Sequence, residues 1–159
     1  MRELNIEALV ENLDQVLQFV DEEIEKLECS VKIHTQIDVA VEELFVNIAH
    51  YAYKPDTGPA TVRVEVEKEP PAISITFIDH GIPYDPLAKE DPDITLSAED
   101  RDIGGLGIFM VKKSMDSIEY EYKERYLLIG NYLMSYCQLP LVFHLVVREC
   151  QRQVDCLLQ

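Results

Sequence analysis

Basic residues are scarce in this chain: 14 lysines and arginines stand against 30 aspartates and glutamates, a net charge of −16. A phosphate backbone would be repelled by that surplus, so direct, non-specific nucleic-acid binding is not expected. A single nucleotide remains possible, because a glycine-rich site or a metal can hold phosphates on an acidic protein. The four cysteines, Cys29, Cys137, Cys150 and Cys156, show neither CxxC spacing nor a paired pattern. They read as free thiols rather than zinc ligands or a disulfide framework. The Met-Arg-Glu start carries no basic region followed by an apolar run, so a cytoplasmic protein is expected. Leu127 to Val147 is apolar, but Asn131, Gln138, Pro140 and His144 interrupt it, and no membrane span is expected.

What is present suits one domain with a core: 159 residues, 47% hydrophobic and 28% charged. Residues 5 to 28 place Ile6, Leu9, Val10, Leu13, Val16, Leu17, Val20, Ile24 and Leu27 on one stripe. With Asn12, Asp14, Glu22, Glu23 and Glu25 facing out, they predict one amphipathic helix. A second helix follows from about His34 and stops before Pro55. Lys54 to Pro59, KPDTGP, is dense in turn formers and reverses the chain.

The period then changes from helical to alternating. Val62, Val64 and Val66 make one strand, and Ile73, Ile75 and Phe77 a second that ends on Asp79; their closeness predicts an antiparallel hairpin. Between Tyr84 and Asp102 there are seven acids, two prolines and no apolar period, the character of a lid or binding loop. A helix over about Ile108 to Asp116 comes next, buried through Ile108, Val111 and Met115. Ile118 to Tyr122 alternates as a third strand, and Tyr126 to Ile129 is a candidate fourth.

Three chemical signals stand along this frame. In DVAVEELFVNIAHYAY (Asp38 to Tyr53), Glu43 and Asn47 are four apart and share one helix face. The carboxylate can accept a proton, and the neutral amide oxygen is a hard ligand suited to magnesium. Asp79, followed by Gly81, places an acid at a strand end where the backbone lets a ligand approach. Gly104, Gly105 and Gly107 precede a helix whose free N–H groups and dipole attract an anion. Taken singly, each has a plain reading: a solvated helix face, an Asp-x-Gly turn, a flexible helix start.

Taken together, AVEELFVNIAHYAY, FIDHGIPYDP and RDIGGLGIFMVKKSMDSIEYEY resemble the stand-alone anti-sigma regulatory factors with serine kinase activity. These belong to the wider group of gyrase, chaperone, histidine-kinase and mismatch-repair ATPases. The resemblance covers about Leu4 to Tyr122. It implies an α/β two-layer sandwich, with helices on one face of a mixed, mostly antiparallel sheet, and it implies ATP and magnesium as cofactors. By the same resemblance Glu43 is the general base, Asn47 the magnesium ligand, Asp79 the partner of the adenine amino group, and Gly81 the residue giving the base room. Residues 86 to 103 form the ATP lid, ending on Gly104, Gly105 and Gly107 at the phosphates, with Arg101 in reach of them.

The implied function is phosphorylation of a serine or threonine on a small antagonist protein, coupled to control of a sigma factor or other regulator. A non-catalytic, ATP-dependent protein-binding switch of the same fold is the alternative, and a homodimer is possible. The division expected is an ATP-binding domain over 1–125 and an atypical strand with an apolar extension over 126–159. That tail departs from the family pattern: Glu149 and Asp155 are its acids, and three of the four cysteines fall there. Two explanations stand for it: a final strand followed by a helix that packs on a partner or second subunit, or an altered reading frame at the end.

Overall fold

The computed structural model describes residues 1–27, 29–68, 71–88, 91–92, 106–121, 124–129, 132–138 and 141–147, with only the backbone described at 71 and in the last three stretches. Arg2–Glu7 is a strand, β1, and not the start of a helix. Leu4 and Ile6 are half-buried while their neighbours are exposed, the two-residue period of a strand with one wet face. The same apolar residues also fit a helical period. Pairing with β2 (Pro59–Lys68) decides between them, from Arg2 opposite Val64 to Glu7 opposite Pro59.

After a 3-10 turn at Val10–Asn12, helix α1 spans Leu13–Ile24 and buries Val16, Phe19, Val20 and Ile24. Glu23, expected to face out, is also buried; it accepts hydrogen bonds from Arg2 of β1 and from Lys26, each at 2.5 Å. Its sequence position suits a wet face, but the strand laid beside the helix encloses it and supplies the cation that makes burial tolerable. Helix α2 spans Val31–Asn47 and starts on Ser30, whose hydroxyl accepts the Ile33 N–H at 3.3 Å. Its apolar stripe, Val41, Leu44 and Phe45, continues through Ile48 and Ala52, and all five are buried as the spacing predicts.

Strands β2 and β3 (Pro71–Asp79) form the expected antiparallel hairpin. Alternate residues of the two, Val62 and Val64 with Ile73, Ile75 and Phe77, join the helices' buried residues in one core cluster. Each such side chain stabilises the fold by about 1.5–3 kcal/mol. Helix α3 (Leu106–Ser114) seats Ile108 and Val111 against the same core, and β4 (Ser117–Glu121) follows. In the tail, β5 (Glu124–Ile129) and β6 (Tyr132–Gln138) pair with each other, while β7 (Leu141–Val147) enters the main sheet. The five-stranded sheet runs β1-β2-β3-β7-β4, and every pairing described in it is antiparallel. Among the described residues, three α-helices on such a sheet make the α/β two-layer fold the sequence implied. Residues 127 to 147, considered above as an apolar extension, contribute strands wherever they are described; a helix after the final strand would fall in 148–159, outside the described residues.

Candidate functional site

The α-helical hydrogen-bonding of α2 ends at Asn47, and the chain continues as a π-helical turn over Ile48–Ala52. Such widened turns shift the phase of the side chains that follow and often mark functional positions. At this one Asn47, Tyr51 and Ala52 line the mouth of a cavity whose other wall is Asp79, at the tip of β3, with Ile82, Tyr84 and Pro86 beyond it. Two residues separated by 32 positions, the helix amide and the strand-tip acid, therefore open onto one space.

Asp79 is 1% exposed. It accepts the Gly81 N–H at 2.8 Å, and burial raises its carboxyl above the usual range, only partly offset by that hydrogen bond and by His80. A carboxylate accepts more than one hydrogen bond, so a ligand amine at the cavity would relieve a desolvated charge. Gly81 lies flat on the end of the first motif: a Cβ there would collide with the Ala52 backbone carbonyl, which also accepts the Ile82 N–H at 2.6 Å. The Asp-x-Gly turn is thus clamped to the π turn by backbone contact.

Glu43 lies one turn before Asn47 and is half-buried; it is not part of the cavity lining. Burial raises its carboxyl, and the neighbouring charge of Glu42 adds to the effect, which makes it a stronger base than a free glutamate. Its carboxylate lies against Gly107, where an added Cβ would fall directly on it. Gly107 is the second residue of α3 rather than a residue before the helix. The first and third motifs therefore meet at Glu43 and Gly107, while the first and second meet at the cavity. Arg101, Gly104 and Gly105 lie outside the described residues, as does most of the expected lid. At the lid's start, Pro86 is buried, and Lys112 of α3 donates to the Leu87 carbonyl at 3.3 Å and to Asp91 at 3.0 Å.

The profile of the histidine kinase-like ATPase domain matches residues 6–131, most of the chain. The chain belongs to that family. As a histidine kinase-like ATPase domain it is an ATP-binding fold. It is similar to the serine/threonine-protein kinase BtrW of Bordetella bronchiseptica, with 23% identity over 95 residues, 60% of this chain and 66% of that protein. Among the described residues of this ATPase domain, no helix is long and apolar enough to cross a membrane.

Sequence reasoning missed Ile82, Tyr84 and Pro86 as cavity lining, and Lys112 as the anchor of the lid's start. Ile82 and Tyr84 are large side chains left 58% and 52% exposed in the segment between buried Gly81 and buried Pro86. An apolar or aromatic residue next to an acidic strand tip is a readable signal of that kind, although it fixes no geometry. The Tyr51 and Tyr84 rings lie 6.4 Å apart and tilted by 42°, within the range of an aromatic contact, beside the cavity that both of them line.

Proposed function

We propose that this ATPase domain is a protein serine/threonine kinase of the anti-sigma type, transferring the terminal phosphoryl group of ATP to a hydroxyl on a small antagonist protein and so controlling a sigma factor or other regulator. The observation that carries the reading is the shared cavity of Asn47 and buried Asp79. In it Asp79 accepts from the adenine amino group, and the clamped Gly81 leaves no side chain in the base's way. Tyr51, Ile82 and Tyr84 supply apolar surface for the ring faces.

The donor set fits magnesium: one neutral amide oxygen from Asn47, the remaining positions left to phosphate oxygens and water. When bound, the ion would supply positive charge against that of the phosphates. Phosphoryl transfer otherwise asks a protein for positioning and little covalent chemistry. Glu43, desolvated and made more basic, orients and deprotonates the incoming hydroxyl. Gly107 keeps the α3 entry open next to it. The likeness to a serine/threonine-protein kinase supports the choice of acceptor.

The test is transfer of label from ATP to candidate antagonist proteins in magnesium. Label on a serine or threonine, lost with Glu43→Ala while ATP still binds, is the expected result. Nucleotide binding without transfer to any acceptor, unchanged by Glu43→Ala, would overturn the kinase reading. It would leave the second one, an ATP-ordered switch that docks a regulator without turnover. The Lys112 contacts favour keeping that second reading, since they tie the start of the lid to α3.

A further inference from the structure

Tyr53 closes the first motif, and its side chain reaches away from the cavity. The ring lies against Gly58, where even a Cβ would overlap the ring carbons. The hydroxyl donates to the Pro59 carbonyl at 2.6 Å and accepts the His80 N–H at 2.8 Å. Pro59 opens β2, and His80 directly follows the acid that ends β3. One phenol thus bridges the first residue of one strand and the peptide between Asp79 and Gly81.

That peptide is the one that sets where the Asp79 carboxylate points. The Asp79 side chain is held by the Gly81 N–H, two residues on, and the His80 N–H is fixed by Tyr53 between them. Without the phenol oxygen the His80 N–H loses its partner, and the turn is held only from its far side, where Gly81 and Ile82 meet the Ala52 carbonyl, so the peptide before the Gly81 N–H can shift. A hydrogen bond to an adenine amine weakens steeply as its angle departs from linear, so a small rotation matters. Gly58 supports the arrangement by leaving room for the ring, and its carbonyl accepts the Ala8 N–H at 2.8 Å, which fixes the turn to the segment after β1.

We propose that Tyr53 is a positioning residue for base recognition, holding the Asp79–Gly81 turn so that the carboxylate selects a purine bearing a 6-amino group. The proposal rests on the reading of the cavity as an adenine-nucleotide site. Burial and the nearby Asp79 raise the phenol's pKa, the first more than the second, and the His80 N–H works against them. The hydroxyl therefore stays protonated and remains able to donate to Pro59 across the working range.

The test uses the full chain and calorimetric titration with ADP and with inosine diphosphate, whose 6-oxo group cannot donate to a carboxylate. Tyr53→Phe keeps the ring on Gly58 and removes both hydrogen bonds, so a folded protein with a near-unchanged melting profile is expected. Its ADP affinity should fall by about three- to tenfold, the effect of one neutral hydrogen bond, with inosine diphosphate affinity unchanged. In an Asp79→Asn background the same substitution should have no further effect, because its route runs through that side chain. Equal losses for both nucleotides, no loss for either, or full additivity with Asp79→Asn would overturn the role of Tyr53 while leaving the site reading standing. A wild-type protein that binds both diphosphates equally would instead remove the adenine reading and the inference with it.

Discussion

Two glycines that look alike in the sequence differ in what a methyl group would meet. At Gly81 the obstacle is the Ala52 backbone carbonyl, which cannot move without dislodging the π turn. Gly81→Ala is expected to destabilise the domain by about 1–3 kcal/mol or more, the range of overpacking against a fixed neighbour, and a denaturant midpoint measures it. At Gly107 the obstacle is the end of the Glu43 side chain, which can swing aside. Gly107→Ala should therefore leave the midpoint nearly unchanged and lower phosphoryl transfer, because Glu43 is the group displaced. Asp79 gives a third contrast. Burial places its folded pKa above its unfolded one, so its contribution to stability is present below the unfolded value and lost as pH rises through the folded one. At neutral pH the ionised group costs stability, and Asp79→Asn should melt at the same temperature or higher. The same change should weaken ADP by about tenfold to a hundredfold, since it removes a charged acceptor from a bonded amine. A variant that loses both stability and affinity would show the carboxylate to be structural.

At the scale of elements, α1 and α2 are pinned by His34, whose Nε2 lies 2.8 Å from Asp21 of α1 and 3.7 Å from Asp38 one turn along α2. The hydrogen bond to Asp21 raises the His34 pKa above the histidine norm, burial opposes it, and Asp38 and Glu25 add to it. The sign follows: this stabilisation is full below about pH 6.5 and is lost as pH climbs through the raised folded value. Asp38 is raised by burial first and by the Asp21 charge second, while the His34 charge works against both, so its ionised form is the one that supports protonated His34. The groups are partly exposed, and the effect should stay below about 1 kcal/mol. Melting curves between about pH 6 and about pH 8 should slope downward for the wild type and flatten in His34→Gln. The helices themselves were legible because α2's burial depends on its own spacing, as did the Glu43 and Asn47 face. Arg2–Glu7 was not, because Leu4 and Ile6 satisfy two periods and β2, some 60 residues away in the chain, chooses between them. Glu23 was misread for the same reason, its cation arriving from that strand. Tyr53 and Tyr84 act through approaches between loops that no local pattern encodes.

For the whole molecule, the tail settles how far the fold extends. A chain ending after Tyr122 would hold all three motifs, yet the strand between β3 and β4 comes from Leu141–Val147. Ile73 to Asp79 of β3 pairs with Val147 to Leu141, and Ser117 to Glu121 of β4 pairs with Val146 to Val142. Deleting residues from 140 onward would leave both strands with open edges in the middle of the sheet. On the β3 side that edge belongs to the strand that carries Ile75, Phe77 and Asp79. Unpaired inner edges recruit other chains, and a strand buried on one face has no water to replace its lost partner. The truncated chain is therefore expected to lose cooperative unfolding and to appear as aggregates in size-exclusion chromatography, and nucleotide binding should fall with it because Asp79 sits on the exposed strand. A truncated protein that remains monomeric, melts cooperatively and binds ADP like the full chain would show that β3 and β4 can close on each other, and that the apolar tail is an appendage to a complete ATPase domain.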